Sequence, residues 1–271
     1  MAELKASFPQ WINSEFRHDE NSDKIVVVLS QKKSFAFYKT EFYSSVMHLA
    51  DQQDAYFTHG APDTAAAVME IAAKAGAAKV LFVGCSKGGF GSLLLASLCS
   101  AQDPSRQYSS LCFGPQTQIY PENPRVHFPS YKSLLQKALT DKAIADDLAR
   151  FGDVTHVPSS TRTTIVFGNL NQDDRAEAES VKGEKVSLVR LPLKTHSVVL
   201  AFLVDNKDKT AVVEIVESLR RASAKQLDLQ AVARETSMVE EILTLPRTKS
   251  LPALCRDLLW DPDHFDVYSG Q

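Results

Sequence analysis

The chain has 271 residues, of which 44% are hydrophobic and 23% charged, as in one sizeable globular domain with an appendage or two small domains. A net charge of -3 gives no sign of a nucleic-acid-binding surface, and no apolar run reaches membrane-spanning length. Four scattered cysteines without C-x-x-C spacing argue against a zinc site and a disulfide framework. The amino terminus also lacks the apolar core of a signal peptide. We therefore expect a soluble, cytoplasmic protein without membrane insertion.

The first part of the chain alternates strand and helix patterns. Residues 1–22 are polar with isolated aromatics, which is compatible with an edge hairpin or a packing strap. The β-branched run 24–30 predicts a central strand, and 45–51 predicts a second, in which His48 is expected to be a packed core residue. An alanine-rich helix is predicted over 62–76, where a glycine stops it.

The stretch from Lys79 to Ala96 is the most distinctive of the chain. An unbroken apolar run, typical of a parallel strand buried on both faces, leads into Gly84-x-Ser86-x-Gly88 and then into an apolar helix pattern. This is the nucleophile-elbow pattern, in which a serine on a sharp strand-to-helix turn requires small neighbours. The glycine spacing fits neither a phosphate-binding loop nor a dinucleotide fingerprint. The alternative is a glycine-rich turn whose serine has no chemical role.

The pattern continues after the elbow with further strands. Strands are predicted over 108–114, 163–168 and 185–191, the second followed by a helix to about residue 182. Between them, the segment 115–160 begins rich in proline and then contains two short helix patterns, 130–139 and 141–151. This order predicts an α/β fold with a mostly parallel sheet flanked by helices.

From residue 205 onward the chain changes to charged helices. Five apolar residues fall on one helical face, and two more helices are predicted near 225–244 and 250–260. The five are Val212, Val213, Ile215, Val216 and Leu219. We treat 206–271 as a C-terminal helical extension, which either packs on the body of the protein or forms an oligomer or partner interface.

An acid and a histidine follow the elbow in the order that a Ser–acid–His triad requires. Asp173 and Asp174 follow the strand 163–168, and His196 follows the last strand. We predict Ser86 as nucleophile, His196 as base and Asp174 as the acid that orients it. Asp173 is the second choice, because one of two adjacent aspartates is expected to serve as an exposed helix N-cap.

Two backbone N–H groups are predicted to stabilise the oxyanion. One belongs to Lys87, the residue after the nucleophile, and the other to Gln31 or Lys32 in the loop after the strand 24–30. We choose Gln31 and expect the Lys87 side chain to be a solvated surface charge. Cys85 is expected to be a small residue that fills the crowded side of the elbow.

The remaining histidines show no ligand spacing, so we predict neither a metal nor a cofactor. His127 and His156 lie in the segment 115–160, which folds of this kind often place over the active site. A substrate contact and a surface role are both open for these two residues.

With these residues in place, the chain resembles the α/β-hydrolase superfamily over roughly residues 20–205. The resemblance rests on the elbow 84–89, the Asp173–Asp174 pair and His196, although the acid lies in an unusual Asn-Gln-Asp-Asp context. It implies hydrolysis of an ester, thioester or amide, or acyl transfer, through an acyl-serine. Three passages also resemble bacterial hydrolase-like proteins encoded with cell-surface polysaccharide or accessory-secretion machinery: 49–51, 84–92 and 113–117. That narrower resemblance implies a glycan-linked substrate such as an O-acetyl ester.

The sequence thus predicts an α/β-hydrolase domain over 1–205 with a small cap at 115–160, acting as a serine esterase on a small-molecule or glycan-linked acyl ester. Two alternatives remain open. One is an acyltransferase of the same fold. The other is a catalytically inactive hydrolase fold that binds a protein partner, or a second copy of itself, through 206–271.

Overall fold

The computed structural model describes residues 7–223 and 229–269, in which a single seven-stranded sheet is flanked by helices. The strands are β1 (Ile12–Arg17), β2 (Lys24–Ser30), β3 (Ser45–Asp51), β4 (Lys79–Cys85), β5 (Gln107–Phe113), β6 (Arg162–Gly168) and β7 (Val186–Leu191). The helices are α1 (Ala61–Lys74), α2 (Lys87–Gln102), α3 (Pro129–Ala138), α4 (Lys142–Phe151), α5 (Gln172–Ser180), α6 (Lys209–Ser223), α7 (Leu229–Thr244) and α8 (Leu251–Trp260). A short 3₁₀ helix, Val198–Phe202, follows β7.

The strand order is β1-β3-β2-β4-β5-β6-β7, in which only β1 runs antiparallel to its neighbour. This is the α/β-hydrolase fold, as the sequence predicts. The chain moves outward from β2 to β3 and then returns across β2 to β4, so the order of strands reverses between β2 and β4. In open α/β sheets the ligand crevice lies at such a switch point, outside the carboxyl ends of the strands.

The central strands are apolar along their whole length because both faces of the sheet are covered. Alternate residues of β2 and β4 therefore enter two separate cores. Val27 and Phe82 belong to the core beneath α1 and α2, together with Phe90 and Leu93 of α2. The opposite face of β2 and β4 supplies Val26, Val28, Leu81 and Val83 to the second core.

The C-terminal helices cover that second face. Val212 of α6 and Leu254 and Leu258 of α8 are buried in the same core as the central strands. At the end of α8, the Lys79 ammonium donates to the Leu259 carbonyl at 2.8 Å. The described residues of the segment 206–271 therefore pack on the body of the protein, whereas a role as partner or oligomer interface stays a prediction.

The segment 115–160 contains α3 and α4 and is tied to the loop that follows β3. The Tyr56 hydroxyl lies 3.3 Å from the Ser130 hydroxyl, and the Lys137 ammonium donates to the Gln53 carbonyl. Asp147 of α4 accepts from the Gly60 N–H at 3.0 Å and pairs with the ring of His59 at 2.9 Å. These contacts hold the two helices against the carboxyl end of the sheet.

The amino-terminal stretch left open by the sequence contains β1, which pairs with β3 at the sheet edge rather than forming a hairpin. Residues 1–6, and the first residues of the helix predicted over 225–244, lie outside the described residues. His48 is fully buried in β3, as predicted. No helix within 7–223 and 229–269 combines the length and apolar character that a bilayer crossing requires.

Candidate active site

Ser86 lies at the turn from β4 into α2, at the carboxyl end of the sheet. Its backbone has φ 52° and ψ −122°, a conformation that residues other than glycine rarely adopt. The Ser86 N–H donates to the Phe113 carbonyl of β5 at 2.9 Å, which fixes the turn against the neighbouring strand. The strained turn presents the serine at the start of α2, where the N–H groups of the first helical turn have no partner within the helix.

The glycines around Ser86 are required by contact distances. A Cβ added to Gly84 would lie 2.2 Å from the Gly88 carbonyl oxygen, and one added to Gly88 would lie 2.3 Å from the Leu29 carbonyl oxygen. Real Cβ atoms do not approach oxygen this closely, so both positions demand glycine. The glycines therefore allow α2 to pack directly against the ends of β2 and β4.

His196 and Asp174 form a hydrogen-bonded pair close to this turn. His196 Nδ1 lies 2.7 Å from Asp174 Oδ1, and the Asp174 side chain is 8% exposed. Gly114, with φ +49°, lies against His196, since a Cβ there would be 3.1 Å from the His196 carbonyl oxygen and 3.4 Å from its Nδ1. His196 is on the loop after β7 and Asp174 in the first turn of α5, so the ends of two neighbouring strands bring them together.

Asp173 occupies a different environment from Asp174. It is exposed, although it does line a cavity beside the pair. The helix N-cap is neither aspartate but Asn171, whose side-chain oxygen accepts from the Asp173 and Asp174 N–H groups at 3.2 Å each. The N-cap role predicted for an aspartate is therefore wrong, because Asn171 precedes α5 and already satisfies these N–H groups.

Ser86 and His196 are not hydrogen-bonded to one another in this arrangement. His196 Nε2 is buried and has no partner among the described residues. Ser86 Oγ instead contacts the side-chain amide of Gln116, with 3.3 Å to Nε2 and 3.4 Å to Oε1. Catalytic hydrogen bonds are often long or unformed before substrate binds.

The two predicted oxyanion donors lie on either side of the switch point. Lys87 supplies the first N–H of α2, and Gln31 follows β2, where Leu29 pairs in register with Gly84. A Cβ on Gly88 would lie 3.5 Å from the Gln31 backbone nitrogen. The Gln31 amide therefore lies beside the first turn of α2, and Lys32 is one residue further along the loop.

The expectation that the Lys87 side chain is a solvated surface charge is wrong. The residue is 4% exposed, its ammonium forms an ion pair with Asp54, and it lies 5.7 Å from the centre of the Tyr56 ring. Burial lowers the pKa of the Lys87 ammonium to about 8. The charge of Asp51 raises this pKa, whereas the charge of Lys137 lowers it further. The loop after β3 folds over the start of α2 and encloses this side chain.

That loop is held in a strained conformation by Asp51. Asp54, Tyr56 and Phe57 all have φ near +60°, at 59°, 58° and 61°. Asp51 Oδ2 accepts from the Ala55 N–H at 2.6 Å and from the Phe57 N–H at 3.1 Å. These bonds place the Asp54 carboxylate against Lys87, and the pair secures the first turn of α2.

A cavity of about 200 Å³ lies beside His196 and Asp174. Its lining combines mainly apolar surface with several hydrogen-bonding groups and comes from the segment 115–160, α5 and the two site loops: Gln116, Arg125, Val126, His127, Phe128, Asn171, Asp173, Asp174, Glu177 and His196. The Phe128 ring lies over His196, with 4.8 Å between ring centres. His127 thus borders the site, whereas His156 contacts Thr155 and does not line the cavity.

Glu177 joins the wall of this cavity to the helix that carries Asp174. It lies one turn after Asp174 on α5 and is 3% exposed. Its carboxylate accepts from the Thr117 N–H, the Asn123 amide and the Arg125 guanidinium, each at 2.8 Å. These bonds offset the effect of burial and hold the pKa of Glu177 below its usual value.

Sequence reasoning missed Gln116, Phe128 and Glu177. Only Gln116 had a usable signal, because it follows the strand 108–114 at the same sheet edge as Ser86. Cys85 is buried in the elbow, and burial raises the pKa of its thiol to about 12, which keeps it protonated. Within the described ranges, no three side chains of His, Cys, Asp or Glu are grouped as metal ligands would be.

No protein-family model matches the chain, and no curated protein matches it. Solved structures share features of its fold at low identity. Carboxyl esterase 2 from the fungus Tuber melanosporum is 12% identical, covering 72% of this chain and 80% of its own, with a TM-score of 0.47. MGS-M2, an α/β hydrolase enzyme from a Medee basin deep-sea metagenome library, is 13% identical over 81% and 96%, with a TM-score of 0.43. A lipase-esterase related protein from Clostridium acetobutylicum is 10% identical over 70% and 93%, also at 0.43.

Proposed function

We propose that this protein is a serine hydrolase that cleaves carboxylic esters through an acyl-serine at Ser86. The observation that carries the proposal is the 2.7 Å bond between His196 Nδ1 and the buried carboxylate of Asp174. Gln116, which contacts the strained Ser86, lines the same cavity as this pair. An acid bound to one nitrogen of the ring leaves the other nitrogen to act as a base. His196 Nε2 is the buried, unpartnered atom that such a base requires.

In the proposed reaction, Ser86 Oγ attacks the ester carbonyl carbon while His196 Nε2 accepts its proton. The same nitrogen then protonates the departing alcohol, and an acyl-serine remains. Water attacks the acyl carbon with His196 again as base, and the bond to Ser86 Oγ breaks. Asp174 holds the ring in the tautomer whose Nε2 is free and stabilises the imidazolium when it forms.

The backbone N–H groups of Lys87 and Gln31 are the proposed donors to the oxyanion. They lie at the carboxyl ends of adjacent strands, and the positive end of the α2 dipole supports negative charge at the same place. The Lys87–Asp54 ion pair supports this role indirectly, because it holds the first turn of α2 in position.

The proposed substrate is an ester whose alcohol part combines apolar faces with hydroxyl groups. The departing alcohol takes its proton from His196, so it occupies the side of the site where the cavity lies, whose surface is mainly apolar with a few hydrogen-bonding groups. Phe128 offers one aromatic face there, and Asn171 and His127 offer hydrogen-bonding groups. An O-acyl ester of a carbohydrate, implied by the narrower sequence resemblance, has this character.

Hydrolysis of p-nitrophenyl acetate by the purified protein tests the reaction. We expect Ser86→Ala and His196→Ala each to lower kcat/KM by a factor of about 10³ or more, since each removes a member of one catalytic unit. His156→Ala is the matched control and should retain wild-type activity. A folded wild-type protein with no turnover of this ester or of acetylated sugars would contradict the proposal and favour the inactive, partner-binding alternative.

Acyl transfer to an alcohol is a second candidate, favoured by the cavity that the cap segment builds beside His196. His196 would deprotonate an alcohol bound there, and this alcohol rather than water would attack the acyl-serine. Adding methyl glucoside to the p-nitrophenyl acetate assay distinguishes the two reactions. Transfer predicts an acetylated sugar and faster release of p-nitrophenol, whereas hydrolysis predicts acetate alone at an unchanged rate.

A further inference from the structure

Gln116 is the side chain in hydrogen-bond contact with the proposed nucleophile. It is 3% exposed, and its amide lies 3.3 Å (Nε2) and 3.4 Å (Oε1) from Ser86 Oγ. Neither the triad nor the oxyanion site makes use of it. The triad and the oxyanion site therefore do not explain why a buried amide lies against the reacting oxygen.

The backbone on both sides of Gln116 is anchored to neighbouring elements. The Gly114 N–H donates to the Val166 carbonyl of β6 at 2.9 Å. The Thr117 N–H donates to the buried carboxylate of Glu177 at 2.8 Å, and the Thr117 hydroxyl does so at 2.9 Å. With both flanking residues held, Gln116 has little freedom to leave Ser86.

The chemistry of the reaction decides which group of the amide is useful. During attack, the hydroxyl proton of Ser86 must go to His196 Nε2, so Gln116 Oε1 cannot hold it. The acyl-serine has no hydroxyl proton, and its ester oxygen can only accept a hydrogen bond. Through both steps, the Nε2–H of Gln116 is therefore the group that can stay bonded to Ser86 Oγ.

We propose that Gln116 is a fourth side chain of the catalytic machinery, whose Nε2–H donates to Ser86 Oγ while that oxygen leaves the acyl group. This inference rests on the proposed acyl-serine reaction. In deacylation, water adds to the acyl carbon, and the bond from that carbon to Ser86 Oγ then breaks with its electron pair remaining on the oxygen. The oxygen takes a proton from His196 Nε2, and Gln116 stabilises the negative charge that develops before that proton arrives.

The effect of Gln116 is consequently larger on deacylation than on acylation. With p-nitrophenyl acetate, kcat reports deacylation when the acyl-serine accumulates, and kcat/KM reports acylation. Gln116→Leu is expected to lower kcat about 10- to 100-fold and KM in proportion, leaving kcat/KM within about threefold of wild type. Intact-mass spectrometry should then find a larger steady-state fraction of acetylated protein.

Gln118→Leu is the matched control, since this glutamine is in the same segment and only its backbone takes part in the hydrogen bonds described for it. It should leave kcat and KM unchanged. Equal losses of kcat and kcat/KM in Gln116→Leu would overturn the proposal, because a purely structural role affects both steps alike. No change in either constant would overturn it as well.

Gln116→Glu provides a variant of the same shape with a pH-dependent donor. The introduced carboxyl group can donate only when protonated, and when ionised it holds the Ser86 hydroxyl proton. The ratio of variant to wild-type kcat should rise at least tenfold as the pH falls from 8 toward 5, because only the protonated carboxyl group donates to Ser86 Oγ. A ratio that is independent of pH would contradict the proposal.

These outcomes separate this inference from the underlying function. If wild-type protein neither turns over the ester nor forms an acetyl adduct, the proposed function itself fails. If wild type does both but Gln116→Leu shows no split between kcat and kcat/KM, only the role of Gln116 fails.

Discussion

At the residue scale, two adjacent carboxylates differ in what surrounds them. Asp174 is buried and bonded to His196, whereas Asp173 is exposed on the next position of α5. We expect Asp174→Asn to lower kcat/KM for p-nitrophenyl acetate by about 10³–10⁴, because the amide no longer fixes the working tautomer of His196. Asp173→Asn is the matched control and should stay within a few-fold of wild type. Greater damage from Asp173→Asn would reverse the assignment.

The burial of His48 predicts how the free energy of unfolding depends on pH. It is fully buried, with Arg17 Nη2 at 2.5 Å from its Nε2, and burial followed by the Arg17 charge lowers its pKa to about 4. The unfolded chain, with an ordinary histidine pKa of about 6.5, binds this proton first as the pH falls. The free energy of unfolding therefore keeps its full value above about pH 6.5 and decreases as the pH falls toward 4. At pH 5 this decrease is about 2 kcal/mol.

Urea unfolding at pH 7.5 and pH 5 measures this contribution. We expect His48→Gln to reduce the difference in unfolding free energy between the two pH values by about 2 kcal/mol, whatever its effect at pH 7.5 alone. The same difference in wild type and variant would show that His48 titrates normally in the folded protein.

Single residues were the hardest to predict from sequence. Lysine is rarely buried, so nothing before folding indicated that Lys87 would be enclosed by a loop held by Asp51. The order of the triad candidates was readable, but the choice between Asp173 and Asp174 rested on an N-cap argument that Asn171 invalidates. Gln116 was indicated only by its place after the strand 108–114, since its contact with Ser86 depends on the pairing of β4 with β5.

At the element scale, the junction of β4 and α2 depends on close contact between backbones. A Cβ on Gly84 would lie 2.2 Å from the Gly88 carbonyl oxygen, so we expect Gly84→Ala to lower the unfolding free energy by about 3 kcal/mol or more. Gly76→Ala is the control: φ is +65° there, but no atom lies within 4 Å of the added carbon, and the cost should be about 1 kcal/mol. Equal costs in urea unfolding would contradict the steric account.

The positions of the strands along the chain were more predictable than the order in which the strands pair. β2 and β4 could be recognised because strands buried on both faces are continuously apolar, and the observed bounds of β2 agree with the predicted 24–30. The edge strand β1 was ambiguous because it lies half exposed and alternates weakly. Pairing order is a long-range property, so the neighbourhood of Gln31 and Ser86 followed from the fold class rather than from local pattern.

At the scale of the whole molecule, the C-terminal helices close one face of the sheet. Val212, Leu254 and Leu258 are buried in the same core as residues of the central strands, and α8 packs directly on β4. Truncation after residue 205 is therefore expected to leave an apolar face exposed and to abolish cooperative unfolding, as followed by circular dichroism and dye binding. A truncated chain that stays folded and active would show instead that this extension is dispensable.

A smaller change tests the same packing in the full chain. Leu254→Ala should cost about 2–5 kcal/mol of unfolding free energy, as expected for a fully buried leucine. Its control, Leu139→Ala at a leucine 78% exposed, should cost under about 0.5 kcal/mol. The amphipathic pattern of α6 predicted a buried face, but only the folded chain shows that α7 and the 3₁₀ helix after β7 pack against α6.

The central claim is that Ser86 is a nucleophile activated by His196, and covalent labelling tests it without knowledge of the substrate. The protein is incubated with a fluorophosphonate, and the adduct is located by peptide mass spectrometry. We expect labelling at Ser86 in wild type, none in Ser86→Ala, and labelling slowed at least 100-fold in His196→Ala. Folded wild-type protein that carries no adduct, or an adduct at another residue, would contradict the account.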